Sequence, residues 1–315
     1  MKTPSFFLFA FLLFSFALVV PGQSEFFGLR PVSDNTEKSV VAQGFQLDSK
    51  LMARKMPYYV LLPPGYDKDK TARFPVIYLL HGLGGNYKAW VEKTNLLEFA
   101  GDHQMIIVTV EGNNGWYTDS ASKPNDKYES YVVQELIPEV DKNFRTVAEK
   151  RGRAIAGLSM GGFGATKFGV KYPDKFVFAA SMSGAVSIAS WKNPEQIPPI
   201  FRQMIVDTFG DENNQVKKSS DLFAIFSTLA PEQTARLPFF YLDCGTEDEL
   251  GLLAYNQQLA AIMLQKKIPH EFRELPGKHS WTLWNQQIAD VLRLSERFFN
   301  APLKADVFKL KISKL

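Results

Sequence analysis

Arg153-Ala154-Ile155-Ala156-Gly157-Leu158-Ser159-Met160-Gly161 is the stretch from which the rest of this 315-residue chain can be read. Arg153 to Ala156 reads as a short buried strand, and Phe163 to Tyr172 just downstream as an amphipathic helix. Between them stands Gly-x-Ser-x-Gly. A serine on so sharp a strand-to-helix turn projects its hydroxyl away from the backbone, and flanking glycines relieve the crowding there. Ser159 is therefore the candidate nucleophile of a hydrolase. The five-residue pattern is common by chance, so its weight comes from its surroundings.

Working outward, Ser39 to Leu47 and Met56 to Leu62 read as strands, the second closed by Pro63-Pro64-Gly65. Phe74 to Leu80 is a continuous apolar run, as expected of a strand buried on both faces. A Gly-rich loop follows, then a helix from about Ala89 to Ala100 and a strand from Met105 to Val110. Apolar spacing predicts a single helix from Tyr128 to Phe144. Further strands are expected at Phe176 to Met182, Phe239 to Asp243 and His270 to Glu274, with helices at about Leu250 to Gln265 and Trp281 to Asn300. Strands alternating with helices imply an α/β fold: a mostly parallel sheet covered on both faces. Between Ala185 and Leu237 the pattern breaks into short helical pieces among prolines, read as a small insertion over one end of the sheet.

Such sheets carry their working groups on loops at the C-terminal strand ends. A serine hydroxyl is a poor nucleophile at neutral pH; it needs a base, and the base an orienting acid. Of the four histidines, His279 lies on a loop between the last strand and the last helix, and is the candidate base. Asp243, Glu247 and Asp248 compete for the acid's role around the loop Gly245-Thr246-Glu247-Asp248. The order Ser159, Asp248, His279 is that of α/β-hydrolases. His81-Gly82-Leu83-Gly84-Gly85 follows the buried Phe74–Leu80 strand. Two backbone N–H groups aimed at the oxyanion of acyl transfer each contribute roughly 3 kcal/mol. They are assigned to Leu83 and to Met160, which follows the nucleophile at a helix N-terminus. A phosphate loop is the rival for the glycines, but Tyr87 occupies the third glycine's place and no Gly-Lys-Ser/Thr ends the loop. There is no metal-binding signature.

The composition is that of an ordinary globular protein, 45% hydrophobic and 22% charged. Net charge is only +3, with no clustered basic face, so nothing calls for nucleic acid. Lys2 precedes an apolar stretch from Phe6 to Val20, then Pro21-Gly22-Gln23-Ser24. This reads as a signal peptide over residues 1–24, short for a span of about 20 apolar residues, with an uncleaved anchor as the alternative. A secreted or periplasmic protein is expected, without a stable membrane span after cleavage. Cys244 is the lone cysteine, so no intrachain disulfide can form, and it reads as a small buried hydrophobe. Residues 25–300 are read as one domain with the insertion at about 185–237, and residues 301–315 as a short basic tail.

Taken together, five motifs resemble the putative-esterase family of α/β-hydrolases over about Ser39 to Asn300. They are His81-Gly82-Leu83-Gly84-Gly85-Asn86, Gly115-Trp116-Tyr117-Thr118-Asp119-Ser120, Gly157 to Gly162, Asp243 to Asp248, and His279-Ser280-Trp281. That family includes S-formylglutathione hydrolases, feruloyl and acetyl-xylan esterases, tributyrin esterases and mycolyltransferases. The resemblance implies an α/β-hydrolase fold with Ser159 as nucleophile, His279 as base, Asp248 as acid, and Leu83 and Met160 as oxyanion donors. It also implies that His81, Gly82, Trp116, Tyr117 and Trp281 line the substrate cleft, and that no cofactor is needed. The expected activity is hydrolysis of a small-molecule or carbohydrate-linked ester, short-chain, acetyl or feruloyl, through an acyl-serine. Acyl transfer to a sugar or lipid alcohol is the nearest rival, a silent binding module the remote one. A cytosolic thioester substrate fits poorly with a signal peptide.

Overall fold

The computed structural model describes residues 39–300 apart from 194, 196 and 198. The signal peptide read at 1–24 and the tail at 301–315 lie outside the described residues. Among the described residues, strands β1 (Ala42–Ser49), β2 (Arg54–Leu61), β3 (Val76–Leu80), β4 (Ile106–Val110), β5 (Arg153–Leu158), β6 (Phe178–Met182), β7 (Phe239–Gly245) and β8 (His270–Leu275) form one sheet. Their spatial order is β1-β2-β4-β3-β5-β6-β7-β8. β1 and β2 form a hairpin, β2 runs antiparallel to β4, and every later pairing is parallel. The central strands β3, β4, β5 and β6 are buried at every position, because helices cover both faces. Alternate residues feed two cores. Val76, Tyr78 and Leu80 pack into one, and Ile77 and Leu79 into the other.

The short helices α1 (Ala89–Lys93) and α2 (Leu96–Ala100) replace the single helix expected from Ala89 to Ala100. Thr94 breaks it: its backbone is extended, and its hydroxyl both donates to the Trp90 carbonyl and accepts the Leu96 N–H. The helix expected from Tyr128 to Phe144 is continuous but irregular. It runs through α3 (Tyr128–Ser130), a π-helical stretch (Tyr131–Leu136) and α4 (Ile137–Asn143). Pro138 has no N–H to donate, and its ring crowds the carbonyl four residues back, at Gln134 inside the π-helical stretch.

Helix α5 (Met160–Lys171) was expected to be amphipathic, yet eleven of its twelve residues are buried. The sheet covers one side. The other side meets the segment after β4 and the insertion, which folds as α6 (Pro199–Phe209), α7 (Gln215–Lys218), α8 (Leu222–Thr228) and α9 (Pro231–Thr234). Helix α10 (Leu252–Gln265) packs on the same face, and α11 (Trp281–Phe299) on the opposite one.

Burial of α5 encloses a charge. The Lys167 ammonium has no exposed surface; it lies 2.9 Å from Glu129 Oε2 and donates to Thr118 Oγ1 at 2.6 Å. Glu129 also takes Lys171 Nζ at 2.5 Å and the Tyr172 hydroxyl at 2.8 Å. Burial works to raise the Glu129 carboxyl, but Lys167 and Lys171 outweigh it and bring it down to about 2. The folded value lies below the ordinary 4.5, so the carboxylate's contribution to stability is complete above about pH 4.5 and is lost as pH falls through about 2. Glu129→Gln leaves Lys167 buried without its counter-charge and should cost about 3–5 kcal/mol in urea unfolding at pH 7. The same variant should show a shallower loss of stability between pH 4.5 and 2 than the parent.

Candidate active site

Ser159 stands between β5 and α5 with φ 53° and ψ −115°, a conformation few non-glycine residues adopt. Three backbone bonds hold it there. Its N–H donates to the Met182 carbonyl at 2.9 Å, and its carbonyl accepts from Phe163 and Ala185 at 3.1 and 3.0 Å. The flanking glycines are required by close approach. A Cβ on Gly157 would stand 2.4 Å from the Gly161 carbonyl, and one on Gly161 2.4 Å from the Leu80 carbonyl oxygen.

The three residues far apart in sequence meet. His279 Nε2 lies 3.0 Å from Ser159 Oγ, and His279 Nδ1 2.8 Å from Asp248 Oδ2. An ionised carboxylate only accepts, so Nδ1 carries the proton and Nε2 offers its lone pair to the serine hydroxyl. The Leu250 N–H donates to Asp248 Oδ1 at 3.0 Å. The Trp284 ring stands edge-on to the imidazole, centroids 4.9 Å apart. Burial works to raise the Asp248 carboxyl. The His279 hydrogen bond and charge, with the Leu250 and Leu252 N–H groups, hold it below the ordinary carboxylate range.

Of the three acids left open around the β7 loop, Asp248 is the one bonded to the His279 ring. Glu247 is exposed. Asp243 is fully buried, and burial outweighs the nearby Tyr241 hydroxyl, the Ser183 N–H and the Arg273 charge to push it up to about 8. It stays protonated at neutral pH and cannot serve as an anionic partner for an imidazole.

The loop after β3 passes directly over the serine, since a Cβ on Gly82 would meet Leu158 Cδ1 at 2.6 Å and Ser159 Cβ at 3.4 Å. A turn closed by Gly85 N–H to Gly82 O at 3.0 Å, with Gly84 at φ 72°, leaves the Leu83 N–H uncommitted. Met160 opens α5, so its N–H has no acceptor within the helix. Asn114, which sequence reading passed over, braces this loop by accepting the Gly84 N–H at 2.8 Å; its place in an Asn-Asn-Gly turn beside Trp116 was the available signal.

A cleft of about 690 Å³ opens at Ser159 and His279, lined in part by Gly82, Trp116 and Trp281. His81 and Tyr117 were expected in its wall and are not there. Both are fully buried. His81 Nε2 accepts the Gly112 N–H at 3.0 Å, so its Nδ1 donates to the Gly82 carbonyl at 2.8 Å. The Tyr117 hydroxyl donates to the His81 carbonyl at 3.1 Å. These two side chains tie the loop after β3 to the loop after β4 from behind. Ile188, Trp191, Ile197, Phe201 and Ile205 from the insertion also line the cleft, as does Trp284. The i, i+4, i+8 spacing of Ile197, Phe201 and Ile205 was the legible clue. Among the described residues no group of three His, Cys, Asp or Glu is arranged to hold a metal ion, and no helix is long and apolar enough to cross a membrane.

Comparisons with known proteins point to one family. The profile of the family described as "Putative esterase" matches residues 49–294. An acetyl esterase of Caldicellulosiruptor saccharolyticus is 28% identical over 255 residues, 77% of this chain and 93% of that protein. An esterase of Mycobacterium tuberculosis is 29% identical over 282 residues, 82% of this chain but 59% of that longer protein. The solved structure of a ferulic acid esterase superposes with a TM-score of 0.72 at 28% identity, covering 83% of this chain and 99% of the other.

Because Asp248 is held down chiefly against its own burial by His279, removing the ring should release it. In His279→Ala the Asp248 carboxyl, followed by carbon-13 NMR, should titrate at higher pH than in the parent. An unmoved titration would mean that the imidazole is not its partner.

Proposed function

We propose, for a chain that belongs to the Putative esterase family of carboxylic-ester hydrolases, that Ser159, His279 and Asp248 are its catalytic residues and that it works through an acyl-serine intermediate. The observation that carries this reading is the continuous relay from Ser159 Oγ through the His279 ring to Asp248, at 3.0 and 2.8 Å, opening on the apolar cleft.

In the proposed reaction Ser159 Oγ bonds to the ester carbonyl carbon as its proton passes to His279 Nε2. The carbonyl electron pair moves onto oxygen, within reach of the Leu83 and Met160 N–H groups. Asp248 offsets the charge of the imidazolium and holds its tautomer. Collapse breaks the bond to the alcohol oxygen, which leaves with the proton from His279. Water then gives a proton to His279 and attacks the acyl carbon. Collapse of the second intermediate releases the acid and returns the proton to Ser159. No cofactor enters these steps.

Export is part of the same reading, supported by Lys2 and the apolar run Phe6 to Val20. Amino-terminal sequencing of the mature protein from the extracytoplasmic fraction should begin near residues 22–25, and an intact Met1 there defeats it.

Ser159→Ala should lower turnover of a p-nitrophenyl ester by roughly 10³- to 10⁶-fold and abolish labelling by a fluorophosphonate, with an unchanged far-ultraviolet CD spectrum. Asp248→Asn should cost on the order of 10³–10⁴ in kcat while the protein stays folded. Parent-like activity in Ser159→Ala would sink the assignment.

A further inference from the structure

Resting on the acyl-serine reading, the geometry points to a division of the cleft between the two halves of the ester. His279 Nε2 must return its proton to the departing alcohol oxygen, so the alcohol leaves on the His279 side and the acyl chain extends away from it. The His279 side carries the charged and hydroxyl lining, Ser280 and Lys93 with its ammonium 5.3 Å from the Trp281 ring centroid, together with the Trp281 and Trp284 rings. The far side is built from Trp116 and the insertion residues Ile188, Trp191, Ile197, Phe201 and Ile205, with no polar side chain among them except indole nitrogens. Trp116 is fixed there by its contacts with Phe163 of α5 and Phe209 of α6, centroids 6.0 and 6.2 Å away.

We propose that this insertion-built wall is an acyl site for bulky apolar chains of about six carbons or more, and that acetyl esters are poor substrates of this enzyme. Three observations favour it. The whole cleft of about 690 Å³ has room for on the order of twenty non-hydrogen atoms at about 30 Å³ each, shared by the two halves of the ester, whereas an acetyl group has three. An acetyl group would leave most of this apolar lining facing water. Sugars embedded in a cleft need donors and acceptors for their hydroxyls, and among the described residues no Asp, Glu, Asn, Gln or Arg side chain lines this one. Finally, the apolar lining runs out to the surface at Phe201, 41% exposed beside Ile200 at 81%, a rim that a longer chain would cover.

The test is a series of p-nitrophenyl esters from acetate through butyrate and hexanoate to octanoate, run beside fluorophosphonate labelling of Ser159. For the parent, kcat/KM should climb by about fourfold per added CH₂ until the wall is filled. Ile188→Trp narrows the acyl side, and should lower the octanoate-to-acetate ratio of kcat/KM at least tenfold, with a melting curve to show that the variant is folded. A parent that labels at Ser159 yet hydrolyses acetate best and slows with each carbon overturns the acyl assignment and leaves the hydrolase reading standing. A ratio that Ile188→Trp does not move removes the insertion from the acyl wall. Absence of both labelling and hydrolysis across the series takes down the parent reading, and this inference with it.

Discussion

Everything in this molecule is arranged around one backbone contact, the edge-on approach of β5 to the first turn of α5. Gly157 and Gly161 touch there with no room for a Cβ on either, and Gly161 presses on the carbonyl oxygen that ends β3. That closeness forces Ser159 into the left-handed region. A single side chain in such a turn has no neighbour alongside it, so its hydroxyl stands clear of the sheet. The strain is held by bonds from outside the turn, to Met182 and Ala185, the first at the end of β6 and the second in the segment leaving it. The elbow thus draws β3, β5 and β6 into one register, and their C-terminal ends bring the remaining loops within reach.

Much of this was legible because its causes are local. The glycine spacing at 157, 161 and 162 reports a steric demand of the turn itself, and the apolar runs of β3 and β4 report burial on both faces. His279 could be found from its place in the chain order. What escaped depended on contacts between distant segments. His81 and Tyr117 belong to motifs that flank the cleft, and proximity in sequence suggested exposure; in space both lie behind the loops, where their polar atoms satisfy buried backbone groups. Chain order and the family resemblance single out Asp248, although no local pattern in Asp243 to Asp248 does, and in the fold it is the one whose loop position meets His279. α5 looked two-sided because Lys167 is charged, yet Glu129, 38 positions away, supplies its partner in the interior.

The interior treats its ionisable groups in two opposite ways. Glu129 is held down by Lys167 and Lys171 against its burial, whereas burial outweighs the pairing at the Lys167 ammonium and lowers it, and the pair ties α5 to the segment after β4. The Thr118 hydroxyl that accepts from Lys167 also donates to the carbonyl of Trp116 at 2.8 Å, where two consecutive residues, Trp116 and Tyr117, have positive φ. Asp243, one strand end away from the relay, is pushed up to about 8 because burial outweighs its polar neighbours and the Arg273 charge. Two carboxylates five residues apart therefore differ in ionisation state, Asp243 through its complete burial and Asp248 through its His279 and N–H partners.

The loops leaving β7 and β8 are stitched to each other. Thr246 and Glu247 donate to the carbonyls of Leu275 and Gly277 at 2.8 and 2.9 Å, and Glu249 accepts the His279 N–H at 3.2 Å. No bond in that set reaches Ser159. Imidazole and carboxylate are therefore set by one pair of stitched loops, while the serine is set by its own turn between β5 and α5. A displacement of that loop pair would move imidazole and counter-ion together, so their mutual bond would survive while the bond to the hydroxyl lengthened.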